Sequence, residues 1–170
     1  MQNSSPTDGS RSDLDPDLAE TVAYCAIERL QRRYGDAVTR QAWDEVAACF
    51  DPEATVTVDL IDRDPLRFDG GNSIASFIAA SVERFSFFEF SLLNSVVFDI
   101  DAAHRTASGR VYIMEIRQLA ETGRWSHAYG LYRDEYRHTD GQWRHSSRHY
   151  SSLARRFDDG TSEVFAIPRQ

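Results

Sequence analysis

Tyr132-Arg133-Asp134-Glu135-Tyr136-Arg137-His138-Thr139-Asp140-Gly141-Gln142-Trp143-Arg144-His145-Ser146-Ser147-Arg148-His149-Tyr150 is the stretch whose reading decides the fold. Asp140-Gly141 is its turn, because glycine takes positive φ without a Cβ clash and Asp-Gly is a strong hairpin signal. On both sides aromatic and polar residues alternate, as two paired strands with unlike faces require. Two registers satisfy this pattern. A two-residue loop pairs His138 with Trp143. A three-residue loop ending at Gly141, with a bulge, pairs His138 with Gln142 and Tyr132 with Arg148. A slip of one residue exchanges the faces, so the register decides which side chains reach the interior.

Outward from this hairpin the chain reads as β on its C-terminal side and helical on its N-terminal side. Residues 87–100, 106–119, 125–138 and 143–152 form four long strands with short links, which implies an antiparallel meander. Upstream, Asp15-Pro16 is an N-cap followed by proline at the first helical position. Ala23, Ile27, Leu30, Tyr34 and Val38 then recur at helical spacing on one stripe. A shorter helix turns Trp43, Val46, Ala47 and Phe50 inward and stops at Asp51-Pro52, since the residue before proline avoids the helical region. Residues 54–60 alternate as a strand, and 66–68 supply a short partner. Gly70-Gly71-Asn72 opens a third helix that buries Ile74, Phe77, Ile78, Val82 and Phe85.

The expected architecture is therefore α+β: three N-terminal helices on a strongly curved antiparallel sheet, a cone-shaped barrel with a cavity inside. Residues 15–155 form this domain, between a disordered tail at 1–14 and a C-terminal tail at 156–170 anchored by Val164 and Phe165.

The bulk properties set limits on partners. A chain of 170 residues with 41% hydrophobic and 12% aromatic content is one globular domain with a real core. Net charge −8 and dispersed arginines argue against nucleic acid or anionic lipid as the main partner. Cys25 and Cys49 lack CxxC spacing and read as reduced core thiols. The start has no basic, apolar leader, and the apolar run at 73–98 is broken by Glu83, Arg84 and Glu89, so no membrane span and a cytoplasmic location are expected. Tyr112, Met114 and Ile116 put an apolar stripe on the outer sheet face, which predicts a homodimer joined there.

The order Ile27-x-x-Leu30-x-x-x-Tyr34, then Trp43-Asp44-x-Val46-x-x-x-Phe50, then Asp134-Glu135-Tyr136-x-x-x-Asp140-Gly141-x-Trp143-x-x-x-x-Arg148 resembles the SnoaL-like group of the nuclear transport factor two-like superfamily. The resemblance covers roughly residues 18–152. It implies a cone-shaped α+β barrel that works without a cofactor, by acid–base chemistry, as scytalone dehydratase, hexachlorocyclohexane dehydrochlorinase and polyketide cyclases do. The His–Asp dyad of the first two falls here on Phe90 and Thr39, so both halves are missing. Other lining positions carry over: Tyr34, Ile113, Glu115, Arg117, Tyr132, Asp134, Arg148 and Tyr150. Tyr132 and Arg148 then share the inner face, which favours the bulged hairpin register.

These residues define the candidate site. Glu115 is the expected base, since a buried carboxylate loses hydration and its pKa rises. Arg117 and Arg148 are the anion stabilisers, with Asp134 as the second acid of a catalytic set Glu115, Arg117, Arg148, Asp134. Tyr34, Thr39, Phe90, Ile113, Tyr132 and Tyr150 are the substrate-binding set. The alternative is that Glu115 and Asp134 merely neutralise the two arginines as buried ion pairs. His145 and His149 have the spacing of a metal pair on a helix, but on a strand they stand about 13 Å apart, so no metal is expected. His127, His145 and His149 are placed on the outer face. The implied function is a lyase, isomerase or cyclase acting on a small, largely apolar, oxygenated molecule. The alternative is a non-catalytic binding protein of the same fold.

Overall fold

The computed structural model describes residues 15–101, 103 and 105–165. The expected disordered tail at 1–14 lies outside the described residues, as does the end of the C-terminal tail from 166 onward.

Helix α1 (Pro16–Thr39) begins as its sequence requires, with the Asp15 carboxylate accepting a hydrogen bond from Asp17 N at 3.0 Å. Its stripe of Ala23, Ile27, Leu30, Tyr34 and Val38 is buried. Full burial of Ile27 alone is worth about 1.5–3 kcal/mol. Helix α2 (Trp43–Ala48) is short, and strand β1 (Phe50–Asp59) starts before the Asp51-Pro52 pair rather than after it. Phe50 is therefore the first residue of a strand, not part of a helix face, though it is buried as expected. Strand β2 (Leu66–Asp69) pairs antiparallel with β1, and helix α3 (Gly71–Val82) follows. Phe85, expected on that helix, instead opens strand β3 (Phe85–Asp101). Strands β4 (Thr106–Leu119), β5 (Trp125–Thr139), β6 (Gln142–Phe157) and β7 (Ser162–Val164) complete the sheet.

The strand order is β2-β1-β6-β5-β4-β3, with β7 on the far end of β6. The sheet is curved and unclosed, and the helices lie at its N-terminal side. Every pairing is antiparallel except β1 with β6, which is parallel and is reached through the long connection β2, α3, β3, β4 and β5. The C-terminal segment is less loose than its sequence implies: β6 runs to Phe157 and β7 ladders back onto it. Val164 is 80% exposed, so the anchor is the ladder, with Phe165 N donating to the Leu153 carbonyl. Cys49 is buried, but Cys25 is exposed and not a core thiol.

The central hairpin corrects the expected register. His138 pairs with Trp143 and Thr139 with Gln142, leaving Asp140-Gly141 as a two-residue loop. Both loop residues have positive φ, 52° and 77°, the backbone that matches strand twist in a tight hairpin. The extra residue sits in the strand instead. Pairing shifts between Tyr136–His145 and Glu135–Ser147, so Ser146 is a bulge, and a second shift leaves Leu153 unpaired. Tyr132 consequently pairs with Tyr150, and Asp134 with Arg148, yet Tyr132 and Arg148 do share the inner face. The bulge also reverses the expected place of His145, which is fully buried rather than on the outer face.

Candidate active site

The concave face of the sheet, α1 and α3 enclose a cavity of about 460 Å³. Its body is apolar, with Val56, Val58, Ile74, Phe77, Phe88 and Phe90 on the walls. Inward residues alternate down each strand, which places Glu115 and Arg117 of β4 together on one wall. On β6 the two bulges reset the alternation, so that Arg148, Tyr150, Ser152 and Arg155 all line it. Tyr150 lies across the backbone of Gly130, where any Cβ would collide with the ring.

The deep end is built on Arg148. Its Nε and Nη2 donate to the two carboxylate oxygens of Asp134 at 2.8 and 2.7 Å, a bidentate pair that is wholly buried. Tyr34 and Tyr132, whose rings stand at 87° to each other, both lie against the guanidinium, with ring centroids 4.4 and 3.9 Å from Cζ. Asp134 also accepts from Tyr136 Oη at 3.1 Å, and Gln31 Nε2 donates to that hydroxyl at 2.7 Å. His145 Nδ1 lies 3.4 Å from Asp134 Oδ2. Burial alone would raise the Asp134 carboxyl, but the Arg148 guanidinium overcomes it and holds it well below the usual range. Burial and the same cation push His145 down to about 4, so its imidazole is neutral at pH 7 and the Asp134–Arg148 pair carries the charge.

The wall is different. Among the described residues the Glu115 carboxylate has one hydrogen bond, with Arg117 Nη1 donating to its Oε2 at 3.4 Å. Burial raises the Glu115 carboxyl above its ordinary value, and Arg117, Arg84 and Arg155 offset this only in part. The other acid on the cavity, Asp62, is exposed at the rim beside Arg63.

Of the expected site residues, Glu115, Arg117, Arg148, Tyr34, Phe90, Tyr132 and Tyr150 line the cavity. Asp134 stands behind Arg148, and Ile113 is inward but sealed in the core. Thr39 and Phe90 do meet, through the backbone: Thr39 Oγ1 accepts from Phe90 N at 3.1 Å and donates to Phe90 O at 3.3 Å. The hydroxyl ties α1 to β3 and leaves no proton acceptor at that place. A His–Asp pair exists elsewhere, as His145 and Asp134, and the sequence held no local sign of it because the Ser146 bulge makes the pairing. Among the described residues, no group of three His, Cys, Asp or Glu side chains could hold a metal ion.

Residues 19–149 match the SnoaL-like domain family. The chain belongs to that family. The SnoaL-like chain is also similar to solved structures across most of its length. One is a putative scytalone dehydratase from Novosphingobium aromaticivorans, at 17% identity and TM-score 0.71, covering 89% of this chain and 93% of that one. Another is a hexachlorocyclohexane dehydrochlorinase (LinA) type 2, at 19% identity and TM-score 0.73, covering 89% and 98%. A third is a type 3 dehydrochlorinase from Novosphingobium barchaimii, at 20% identity and TM-score 0.68, covering 89% and 99%. At these identities the likeness is one of fold. No curated protein matches the chain.

Proposed function

We propose that this SnoaL-like protein is a cofactor-independent acid–base enzyme of lyase, isomerase or cyclase type, acting on a small, largely apolar, oxygenated molecule in the cavity. The observation that carries this reading is Glu115: a largely buried carboxylate on the wall of a cavity whose body is apolar, raised in pKa, with a long contact to Arg117. A base works best when its pKa approaches the working pH, and burial moves Glu115 in that direction. Glu115 abstracts the proton, and the adjacent Arg117 stabilises the negative charge that develops. Asp134 takes Nε and Nη2 of Arg148, and Nη1 stays buried without an acceptor among the described residues, a donor available to a substrate oxygen at the deep end. Tyr34 and Tyr132, both raised in pKa by burial, remain protonated and can donate to a substrate oxygen. Asp134 has its oxygens engaged and serves to hold Arg148, not to move protons.

The 3.4 Å contact to Arg117 favours a second reading, in which the pair is a neutral part of the wall of a binding protein. Glu115→Gln separates the two. A panel of polyketide- and terpenoid-like compounds screened by thermal shift supplies the ligand. On a compound that turns over, the variant should fold normally and lose about 10² to 10⁴ in rate. Turnover at the wild-type rate would sink the assignment, and ligands that bind without turnover would favour the binding protein.

A further inference from the structure

The cavity is rich in cations for a chain of net charge −8. Arg63, Arg84, Arg117, Arg148 and Arg155 line it, against Asp62 and Glu115. Most of these charges are matched locally. Asp62 pairs with Arg63 at 3.4 Å, and Asp134 with Arg148 at 2.7 Å. Arg155 stands 3.6 Å from Glu163 and donates to the Leu60 carbonyl at 3.2 Å. Among the described residues this leaves Arg84 and Arg117, with Glu115 in contact with Arg117 and within the electrostatic reach of Arg84.

Both arginines lie against one ring. Their guanidinium carbons lie 4.8 and 5.4 Å from the centroid of the same ring, Phe85. Arg84 is exposed at the mouth, while Arg117 is mostly buried, with 13% of its side chain accessible. Arg117 Nε is buried with no acceptor among the described residues. Glu115 occupies the Nη1 side only, at a distance too long for a strong charge-assisted bond. Two like charges beside one ring, with a donor unfilled, form a site one negative charge short of balance. Beyond it the cavity turns apolar, toward Val56, Val58, Ile74 and Phe77.

We propose that the mouth binds the anionic head of the ligand, a monocarboxylate on an apolar, aromatic or polycyclic body, between Arg84 and Arg117. Planar guanidinium donors match a carboxylate in geometry as well as charge. The apolar body then fills the depth, and its first carbons lie beside Glu115. This rests on the reading of the cavity as the ligand site, and it is independent of whether Glu115 acts as a base.

Calorimetric titration of the full chain with 2-naphthoate and with its neutral counterpart 2-naphthamide tests it. The carboxylate should bind about tenfold tighter or better. Arg84→Gln, an exposed change that leaves the core untouched, should weaken naphthoate about fivefold and leave naphthamide unchanged. Arg117→Lys keeps the charge beside Glu115 but loses the planar donors, and should also erode the preference. Glu115→Gln should retain or increase it, since an acid is removed from beside the head group. Equal affinity for acid and amide, a preference that survives both arginine variants, or no binding of either at about 1 mM would overturn the proposal. The two readings fail separately. Wild-type turnover in Glu115→Gln removes the base and leaves the carboxylate preference standing. A missing preference with a dead Glu115→Gln does the reverse.

Discussion

Between pH 7 and pH 5, His145 should make this protein less stable as the medium is acidified. The imidazole is fully buried among Tyr34, Phe50 and Tyr136, with ring centroids 5.9, 5.1 and 5.1 Å away, and it faces Asp134 and Arg148. Its pKa is lowered from 6.5 to about 4 by burial and by Arg148. A histidine depressed in the folded state binds its proton more readily once unfolded, so stability is complete above pH 6.5 and drains as pH falls toward 4. At about 1.4 kcal/mol per pH unit the whole effect is roughly 3 kcal/mol, and about 2 kcal/mol of it is lost between pH 7 and 5. Asp134, held well below the usual carboxylate range, makes its own loss only at more acid pH, below about 4–5. The assay is urea unfolding of wild type and His145→Phe at pH 7 and pH 5. Phenylalanine keeps the ring contacts and removes the titration. Wild type should lose about 2 kcal/mol more than the variant over this interval. Parallel losses in the two proteins would refute the argument.

Asp134→Asn strands Arg148 in the core and should cost about 3–5 kcal/mol in urea unfolding, with Asp134→Asn/Arg148→Met recovering much of it. A cost under about 1 kcal/mol would show that the guanidinium finds other partners. Gly130→Ala drives a Cβ into the Tyr150 ring, so it should lower stability by about 1–3 kcal/mol and alter ligand affinity at the cavity wall. An unchanged melting temperature and unchanged naphthoate affinity would count against that close approach.

The helix α1 stripe, the Asp15 cap and the Asp140-Gly141 turn were legible along the chain, because each depends on neighbours within a few residues; alternation put Ile113, Glu115 and Arg117 on one face of β4, and only the family resemblance pointed that face inward. Only the tertiary structure decided the rest. β1 lies parallel to β6 because of how distant segments meet. The bulges at Ser146 and Leu153 are settled by pairing along the whole of β5, and nothing in Ser146-Ser147 announces an extra residue. A single inserted residue flips the face of all that follows, and this is what puts His145 beside Asp134 and Arg148. Surplus charge is equally invisible locally. Arg84 adjoins Phe85 in sequence, and Arg117 reaches the same ring only through the pairing of β4 with β3.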